Sequence, residues 1–543
     1  MKLRSISALA PGVLAATALT LTAQTLPVIR TEGSAQQFIL QGKPFLMFAG
    51  ELGNSSSLTA AQADEILPKL AHLHFNTILM PVGWNQIEPE EGRFDFSILD
   101  HWIDIARQQN IHLVPLWFGS WKNAFSEYAP TWVLSDTKRF PREISAEGLP
   151  LEILSPLGKE TVLADSRAFA ALMRHIREKD GSQQTVLMVQ VENEIGFIGV
   201  GGRDRSEAAN RLFAAPVPAE LPMYLDSHRA QQPREFLDQF NPTGHTWKAM
   251  FGDFADETFM AWHYGLFANQ VVKAGKAEYA LPMYMNAQLP APFEHGGEYP
   301  SGGSYPLVQG MYRAAAPAVD FYAPDIYWPD FAVWVDRYRG AGNPAFVPEA
   351  RLDDAPGNAL YLYGEARGFG FSPFAVDSLP VEAEQEADAD PGVANVYGVL
   401  SVVTEEVLEA QRKNQIRGLV LHANSPRPTQ TVSLDGFLFR ATLARTWPAR
   451  QLATQEGAMM VLSTSPNEFL VVGSGLTVTI VRDPDTDEQV AQIAGVEQVT
   501  RQNGQWVVER VLNGDQTDQG RALQMDPHAI RVYRVRLVTY PRR

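Results

Sequence analysis

Short apolar runs typical of buried strands alternate with amphipathic helical segments along most of the chain. Eight such strands are predicted, and a helical segment follows each. Strands separated by helices are typical of a parallel sheet, because a parallel pair needs a long crossover connection. Eight strand–helix units close a barrel, so the sequence predicts an α/β fold, a (β/α)8 TIM barrel. The predicted strands are 44–48 with an extension to 51, 76–80, 112–117, 185–191, 281–286, 319–322, 345–347 and 369–374.

Two regions depart from this alternation. Residues 197–250 carry Gly, Pro and charge with little periodicity, which predicts a long loop that shapes a pocket. From about residue 415 short alternating strands follow one another, which predicts an antiparallel β-sandwich. The expected organisation is a catalytic barrel over 24–414, closed by one long helix over 396–412, and a C-terminal β-sandwich domain over 415–543.

The first 23 residues are typical of a signal peptide. Lys2 and Arg4 precede a short apolar stretch, and small residues near Ala23 offer a cleavage site. The chain has no cysteine, which excludes disulfides, thiolate metal sites and a lipid-anchor cysteine. A periplasmic or secreted bacterial protein is therefore expected. The formal net charge of −17 argues against nucleic acid or an anionic membrane as a partner.

Two of the predicted strands lead directly into a glutamate. The run 185–191 is followed by Glu194, and the run 345–347 is followed by Glu349. The C-terminal ends of barrel strands hold the chemistry of (β/α)8 enzymes, so these two carboxylates are expected to face each other across the barrel mouth. Paired carboxylates are the catalytic groups of glycoside hydrolysis.

Other residues suited to binding sugars recur at the same strand ends. Aromatic side chains offer flat apolar faces, and amides and carboxylates pair with hydroxyls. A lone Trp or Asn is more often structural, so the repetition carries the hypothesis. The predicted substrate-binding residues are Glu51, Asn54, Trp84, Asn85, Trp121, Asn193, Asn286, Tyr327, Trp328 and Arg351, and Asn123, Gln288 and Asp325 hold similar positions.

The sequence predicts no metal and no cofactor. His72 and His74 are spaced like a ligand pair but lie at a helix end, away from the C-terminal ends of the strands. The acidic stretch 483–487 resembles the start of a calcium loop, but it lacks the Gly and the Glu that complete one.

Three segments resemble glycoside hydrolases of clan A. The segment 76–96, which contains Gly83-Trp84-Asn85, is similar to the second-strand motif of family 35 and family 42 β-galactosidases. The segments 189–196 and 346–351 resemble the acid/base and nucleophile strands of family 35. Segments near 129–142 and 370–374 resemble a bacterial branch of that family with a C-terminal β-domain. The stretch 116–123 departs from the better-known members, which leaves the preference for the leaving group open.

The resemblance implies that Glu194 is the general acid/base and Glu349 the nucleophile. It further implies a retaining, exo-acting β-galactosidase that removes terminal β-D-galactosyl residues, with plant cell-wall fragments of the xyloglucan type as a candidate substrate. A β-glucosidase, a β-fucosidase, an α-arabinosidase and a non-catalytic carbohydrate-binding barrel are the alternatives. The expected partner is a carbohydrate, with no nucleic acid and no membrane after removal of the signal peptide. Homo-oligomerisation is left open.

Overall fold

The structure is a computed structural model that describes residues 25–380, 392–485 and 489–542. The predicted signal peptide lies outside these ranges, as does part of the acidic stretch 483–487. Eight parallel strands form a closed barrel in which chain neighbours pair and the last strand pairs with the first. The predicted TIM barrel is confirmed. Its strands are Met47–Glu51, Thr77–Gly83, His112–Phe118, Val189–Val191, Met283–Gln288, Phe321–Ile326, Phe346–Ala350 and Gly370–Pro373.

One end of the barrel is closed by a small antiparallel sheet. Its strands are Val28–Glu32, Ala35–Leu40 and Lys43–Phe45. Phe38 of this sheet packs on Phe369 with ring centroids 5.7 Å apart, and Phe369 stacks on Phe346 at 5.1 Å. These aromatic residues lie at the N-terminal ends of the strands. The C-terminal ends are therefore the end that remains open to a ligand.

Helices surround the barrel; some bury a single face, and Ala255–Glu278 and Ala355–Gly364 are buried on most sides. In Ser97–Gln108 the buried residues are Leu99, Trp102, Ile103 and Ala106, spaced by three or four positions as one face of a helix requires. The helices are Ala60–His72, Trp84–Ile87, Ser97–Gln108, Thr131–Leu134, Lys159–Asp180, Glu207–Ala214, Glu220–Ser227, Arg234–Leu237, Trp247–Phe251, Ala255–Glu278, Gln309–Ala315, Phe331–Gly340, Ala355–Gly364, Val393–Val402 and Thr404–Lys413.

Two predicted segments differ from the structure. The region 197–250 contains four short helices, between Glu207 and Phe251, in place of the long loop. Each has eight residues or fewer, too short for an apolar period to stand out in the sequence. The predicted closing helix is two helices, because Val403 leaves the helical conformation with φ −111° and ψ 11°.

The C-terminal region is a pair of antiparallel sheets, so the predicted β-sandwich is confirmed. Phe437 and Phe439 of one sheet pack on Phe469 of the other at 5.4 and 5.1 Å. The six-stranded sheet comprises Ile416–His422, Glu456–Ser465, Glu468–Ser474, Gln489–Gln502, Gln505–Leu512 and Arg531–Pro541. The four-stranded sheet comprises Thr429–Leu434, Phe437–Leu443, Leu476–Arg482 and Ala522–Gln524. A separate two-stranded hairpin, Arg142–Ile144 with Pro150–Leu154, follows the third barrel strand.

Within the described ranges, no helix combines the length and apolar character needed to cross a lipid bilayer.

Candidate active site

The end of the fourth strand holds Glu194 in a constrained backbone. Glu192 and Glu194 both adopt left-handed conformations, with φ of 60° and 48°. Non-glycine residues rarely adopt this region, and where they do the surrounding structure must hold them there. The Glu194 N–H donates to Asn286 Oδ1 at 3.0 Å, and its carbonyl accepts from the Ala124 N–H at 3.0 Å. The third and fifth strand ends thus fix the backbone of Glu194 between them.

Three carboxylates converge at the barrel mouth. Asp325 and Glu349 are register partners on the sixth and seventh strands, and Glu194 approaches from the fourth. One carboxylate oxygen from each lies within 4.8 Å of the others, and all three residues are buried. The Tyr327 hydroxyl donates to Glu349 Oε1, and Asn286 Nδ2 donates to Asp325 Oδ2 at 2.6 Å. Glu194 and Glu349 thus lie close together, and different neighbours hold them: Asn286 bonds to the backbone of Glu194, and Tyr327 bonds to the carboxylate of Glu349.

Glu51, at the end of the first strand, is a fourth buried carboxyl beside Glu349. Burial, followed by the charge of Glu349, raises the pKa of Glu51 well above its usual range. The same two causes, in the same order, raise the pKa of Asp325 well above its usual range and that of Glu194 to about 7. The positive charge of Lys122 lowers the pKa of Glu51 and Glu194, against these effects. These shifts all favour the protonated, neutral form of the carboxyl group.

A cavity of about 420 Å³ lies over the carboxylates. Ligand pockets for small molecules span about 300–1,000 Å³, so this one has room for a sugar. It is lined by Asn54, Lys122, Asn123, Glu194, Gln288, Leu289, Asp325, Tyr327, Trp328, Glu349 and Phe374.

Several buried polar atoms around the cavity have no hydrogen-bond partner among the described residues. They are Glu51 Oε1, Asn54 Oδ1, Asn193 Nδ2, Asp325 Oδ1 and Glu349 Oε2. Buried polar groups are nearly always paired, because an unpaired one costs about 1–3 kcal/mol. Both donors and acceptors occur in the set, which suits a ligand with many hydroxyl groups.

The structure brings together eight of the twelve predicted site residues. Glu194, Glu349, Asn54, Tyr327 and Trp328 line the cavity, and Trp328 is 37% exposed. Three more lie directly behind the cavity wall: Glu51 and Asn286, which contact the carboxylates, and Asn193, whose side chain accepts from the Asn123 N–H.

Four predicted substrate-binding residues lie elsewhere. Trp84 and Trp121 are fully buried in the core and donate their indole N–H groups to Glu88 Oε2 and the Leu154 carbonyl, so neither offers a face to a sugar. Asn85 is exposed and does not line the cavity. Arg351 pairs with Asp353 and Asp354 at the surface and does not line the cavity. The two tryptophans are buried because they fill volume in the core. Arg351 stays at the surface because Asp353 and Asp354, two and three residues further along the chain, pair with its charge.

The segment 197–250 does not contribute to this cavity. Gly201, Gly202 and Glu235 instead line a separate cavity of about 520 Å³. The prediction that this segment shapes the carboxylate pocket is corrected on this point. Sequence reasoning also missed Lys122 and Phe374, since a lysine or a phenylalanine near a strand end carries no distinctive pattern.

Comparisons with known proteins agree with a carbohydrate-active barrel. A family model described as beta-galactosidase, of glycoside hydrolase family 42, matches residues 56–215, and a domain of unknown function, DUF5597, matches residues 393–524. The first match includes Glu194 and ends before Glu349. Since the matching model is that of family 42, the assignment to family 35 is not supported, whereas the broader resemblance to β-galactosidases is.

The relatives are similar over limited segments. A beta-galactosidase of Xanthomonas manihotis is 26% identical over 187 residues, which is 32% of this chain and 27% of that protein. Beta-galactosidase-1-like protein 3 of Homo sapiens is 29% identical over 165 residues, 29% of this chain and 23% of that protein. The matched segment thus spans about a quarter of each relative. An exo-beta-D-glucosaminidase of Thermococcus kodakarensis is 27% identical over 142 residues, 23% of this chain and 17% of that protein.

A solved beta-galactosidase from the psychrophilic Marinomonas ef1 has a TM-score of 0.44 and 11% identity, covering 67% of this chain and 61% of that one.

Fold, carboxylate site and the match over 56–215 together make this chain similar to glycoside hydrolases of the β-galactosidase type.

Proposed function

We propose that this protein is a retaining, exo-acting β-galactosidase that releases terminal β-D-galactosyl residues from oligo- or polysaccharides. One observation carries the proposal: carboxylate oxygens of Glu194 and Glu349 lie within 4.8 Å of each other at the barrel mouth. Retaining glycosidases hold their two carboxyl groups about 5–5.5 Å apart, whereas inverting ones need about 6.5–9.5 Å to admit a water molecule. The spacing favours retention.

Glu194 is the acid/base in this proposal. Its carboxyl proton passes to the glycosidic oxygen as the bond to the anomeric carbon breaks, which requires Glu194 to be protonated at working pH. Burial and the nearby charge of Glu349 raise the pKa of Glu194 to about 7, which meets that requirement. After the leaving group departs, the Glu194 carboxylate takes a proton from the incoming water.

Glu349 is the nucleophile. Its Oε1 accepts a hydrogen bond from Tyr327, and the Glu51 carboxyl lies within hydrogen-bond reach of its side chain. In the proposed reaction a carboxylate oxygen of Glu349 attacks the anomeric carbon. The attack forms a glycosyl ester, and water then releases the sugar with its original β configuration.

The small cavity and its polar atoms support a terminal sugar as the substrate. Trp328 offers a partly exposed aromatic face, and the unpaired polar atoms around the cavity match several hydroxyl groups. The volume of about 420 Å³ supports a site for a terminal sugar unit and hence the proposed cleavage at a chain end. Plant cell-wall fragments of the xyloglucan type remain our candidate natural substrate.

A panel of nitrophenyl β-galactoside, β-glucoside, β-fucoside and α-arabinoside, with proton NMR of the first product, tests the proposal. We expect the galactoside to be cleaved fastest, with the β-anomer released first. Faster cleavage of the glucoside, the fucoside or the α-arabinoside would favour one of the alternatives. Initial release of the α-anomer would exclude retention, and binding without cleavage of any member would favour a non-catalytic barrel.

The proposed mechanism uses no metal. The oxygens of Glu194, Asp325 and Glu349 are spaced closely enough to bridge a cation, so this point needs its own measurement. We expect the hydrolysis rate to be unchanged after treatment with EDTA. Inhibition by EDTA that calcium or zinc reverses would show instead that the carboxylate cluster binds a metal ion.

We also propose export to the periplasm or the medium. The basic start at Lys2 and Arg4 and the absence of cysteine support it. Cell fractionation with N-terminal sequencing tests it, and an intact N-terminus in the cytoplasmic fraction would contradict it.

A further inference from the structure

A lysine lies inside the carboxylate pocket. Lys122 follows the third barrel strand on a tight turn, in which its N–H donates to the Phe125 carbonyl at 2.7 Å and the Phe125 N–H donates back at 3.0 Å. The residue is only 7% exposed, and it lines the cavity together with Glu194 and Glu349. Its Nζ lies 5.1 Å from the ring centroid of Phe118. The ammonium group is thus held at the cavity wall.

No hydrogen bond or ion pair joins Lys122 Nζ to any residue in the part of the chain that the structure describes. The nearby carboxyls of Glu51 and Glu194 balance its charge from a distance, since the cation lowers the pKa of both. Nζ is not among the fully enclosed side-chain atoms, so the ammonium group opens into the cavity while its stem is buried. An ammonium group has three N–H donors, so Lys122 keeps donor capacity for a ligand.

We propose that Lys122 determines the specificity of the proposed hydrolase by donating, through Nζ, to one hydroxyl of the terminal sugar. This inference rests on the function proposed above. The same hydroxyl can donate its own proton to Asn54 Oδ1, an unpaired acceptor on a residue that lines the cavity. One hydroxyl can therefore accept a hydrogen bond from Lys122 Nζ and donate one to Asn54 Oδ1.

The surroundings select a neutral sugar over a uronic acid. Four carboxyl groups, those of Glu51, Glu194, Asp325 and Glu349, share the site with the single lysine. A carboxylate on the substrate would lie beside Glu349 and would add to the negative potential that already raises the pKa of the neighbouring acids in this buried setting. Lys122 therefore serves as a hydroxyl donor and not as an anion site.

Lys122→Met tests the proposal, because methionine keeps the apolar stem and removes the charge and the donors. The substrates are nitrophenyl β-galactoside and its four monodeoxy analogues, lacking the hydroxyl at C2, C3, C4 or C6. A hydrogen bond to a charged group contributes about 10- to 100-fold in rate or affinity. We expect Lys122→Met to lose about that factor in kcat/KM on the parent substrate.

The decisive readout is selectivity among the analogues. For the wild type, kcat/KM should be lower on each analogue that lacks a hydroxyl bound by the enzyme. For Lys122→Met, removal of one particular hydroxyl should no longer lower kcat/KM, whereas removal of the others should lower it as in the wild type. Removing the cation should also move the alkaline limb of the pH profile upward, since Lys122 lowers the pKa of Glu194. The exposed Lys138, changed to Met, is the matched control and should behave as the wild type.

Three results would overturn the inference: full activity of Lys122→Met, an equal loss on all five substrates with every deoxy penalty intact, or faster cleavage of a nitrophenyl β-galacturonide than of the galactoside by the wild type. Circular dichroism and Tm show whether the variant has folded, and Lys122→Arg, which keeps the charge, is the second variant should Met unfold the site. If the wild type cleaves no glycoside, the proposed function fails. The Kd values of galactose and its deoxy forms for wild type and variant then decide the role of Lys122 by the same selectivity.

Discussion

Two glutamates at the end of the fourth strand, Glu192 and Glu194, share a left-handed backbone and deep burial but have opposite surroundings. Glu192 points into the protein, where its Oε2 accepts from the Trp121 N–H at 2.9 Å. Its neighbour Asp165 accepts from the Trp117 indole at 2.9 Å and from the Ser120 hydroxyl at 2.6 Å. This second acid pair is enclosed, and protein groups donate to both oxygens of Asp165 and to Glu192 Oε2.

Glu194 has its backbone held as firmly, yet its carboxyl lines the cavity beside Glu349 and below Lys122. Burial is the main cause that raises the pKa of both glutamates, so a raised pKa does not separate them. The difference lies in access: Glu192 has protein neighbours around it, and Glu194 faces the space that a substrate would occupy. Access to the cavity is therefore the feature that assigns Glu194, and not Glu192, to the proposed reaction.

The largest expected effect is that of Glu349→Gln. The amide cannot form a glycosyl ester, so kcat should fall by more than about 10⁴-fold while the fold is kept. Steady-state kinetics on nitrophenyl β-galactoside, with Tm as the control for folding, measures it. Substantial residual turnover would assign the nucleophile elsewhere.

The loss of hydrolysis rate caused by Glu194→Ala should depend on the leaving group of the substrate. Substrates with poor leaving groups need the proton and should lose about 10²–10⁴-fold, whereas activated aryl galactosides should still form the intermediate. Azide should then accelerate the breakdown of that intermediate and yield a β-galactosyl azide. An equal loss on both substrate types would contradict the acid/base role.

The pH profile should show one limb set by Glu194. Since its pKa is raised to about 7, the fraction that is protonated falls as pH rises through 7, and kcat/KM should fall about tenfold per pH unit beyond that point. Measurement between pH 5 and 9 checks this. A rate that stays level to pH 9 would show that Glu194 is not the required acid.

The smallest effect on activity is expected for Glu192→Gln. A glutamine mimics the protonated glutamate: its oxygen can accept from Trp121, and its amide can donate to Asp165. The value of kcat/KM should stay within about twofold of the wild type, and its decline at alkaline pH should begin at the same pH. This is expected for a side chain that does not touch substrate. A loss comparable to that of Glu194→Ala would erase the distinction between the two acids.

The same variant should change how stability depends on pH. Burial raises the pKa of Glu192 above its ordinary value of 4.5. At pH values between 4.5, the pKa in the unfolded chain, and the higher pKa in the folded protein, Glu192 is protonated only in the folded state. The free energy of unfolding therefore falls as pH rises through this range. Glu192→Gln lacks this proton, and its stability should decline less from pH 5 upward. Urea unfolding at several pH values checks it, and parallel curves for the two proteins would contradict it.

The barrel and the two glutamates could be predicted from the sequence because their patterns are local. A buried parallel strand is apolar over consecutive residues, and a functional residue follows its C-terminal end. Glu194 and Glu349 satisfy both conditions, and the antiparallel strands after residue 415 show the alternation of a sandwich. These features depend on neighbours within a few positions along the chain.

The tertiary structure alone decided which polar and aromatic residues meet at the barrel mouth. Trp121 and Trp328 both follow barrel strands, yet Trp121 fills the core against Tyr264 and Phe267, whereas Trp328 borders the cavity. Lys122 stands in the sequence as an ordinary loop lysine, and the acids that balance its charge come from the first and fourth strands. The sequence by itself therefore determined the architecture and the acid pair, since both arise from local periodicity. The surroundings of each side chain depend on contacts between residues far apart in the chain, which local pattern does not record.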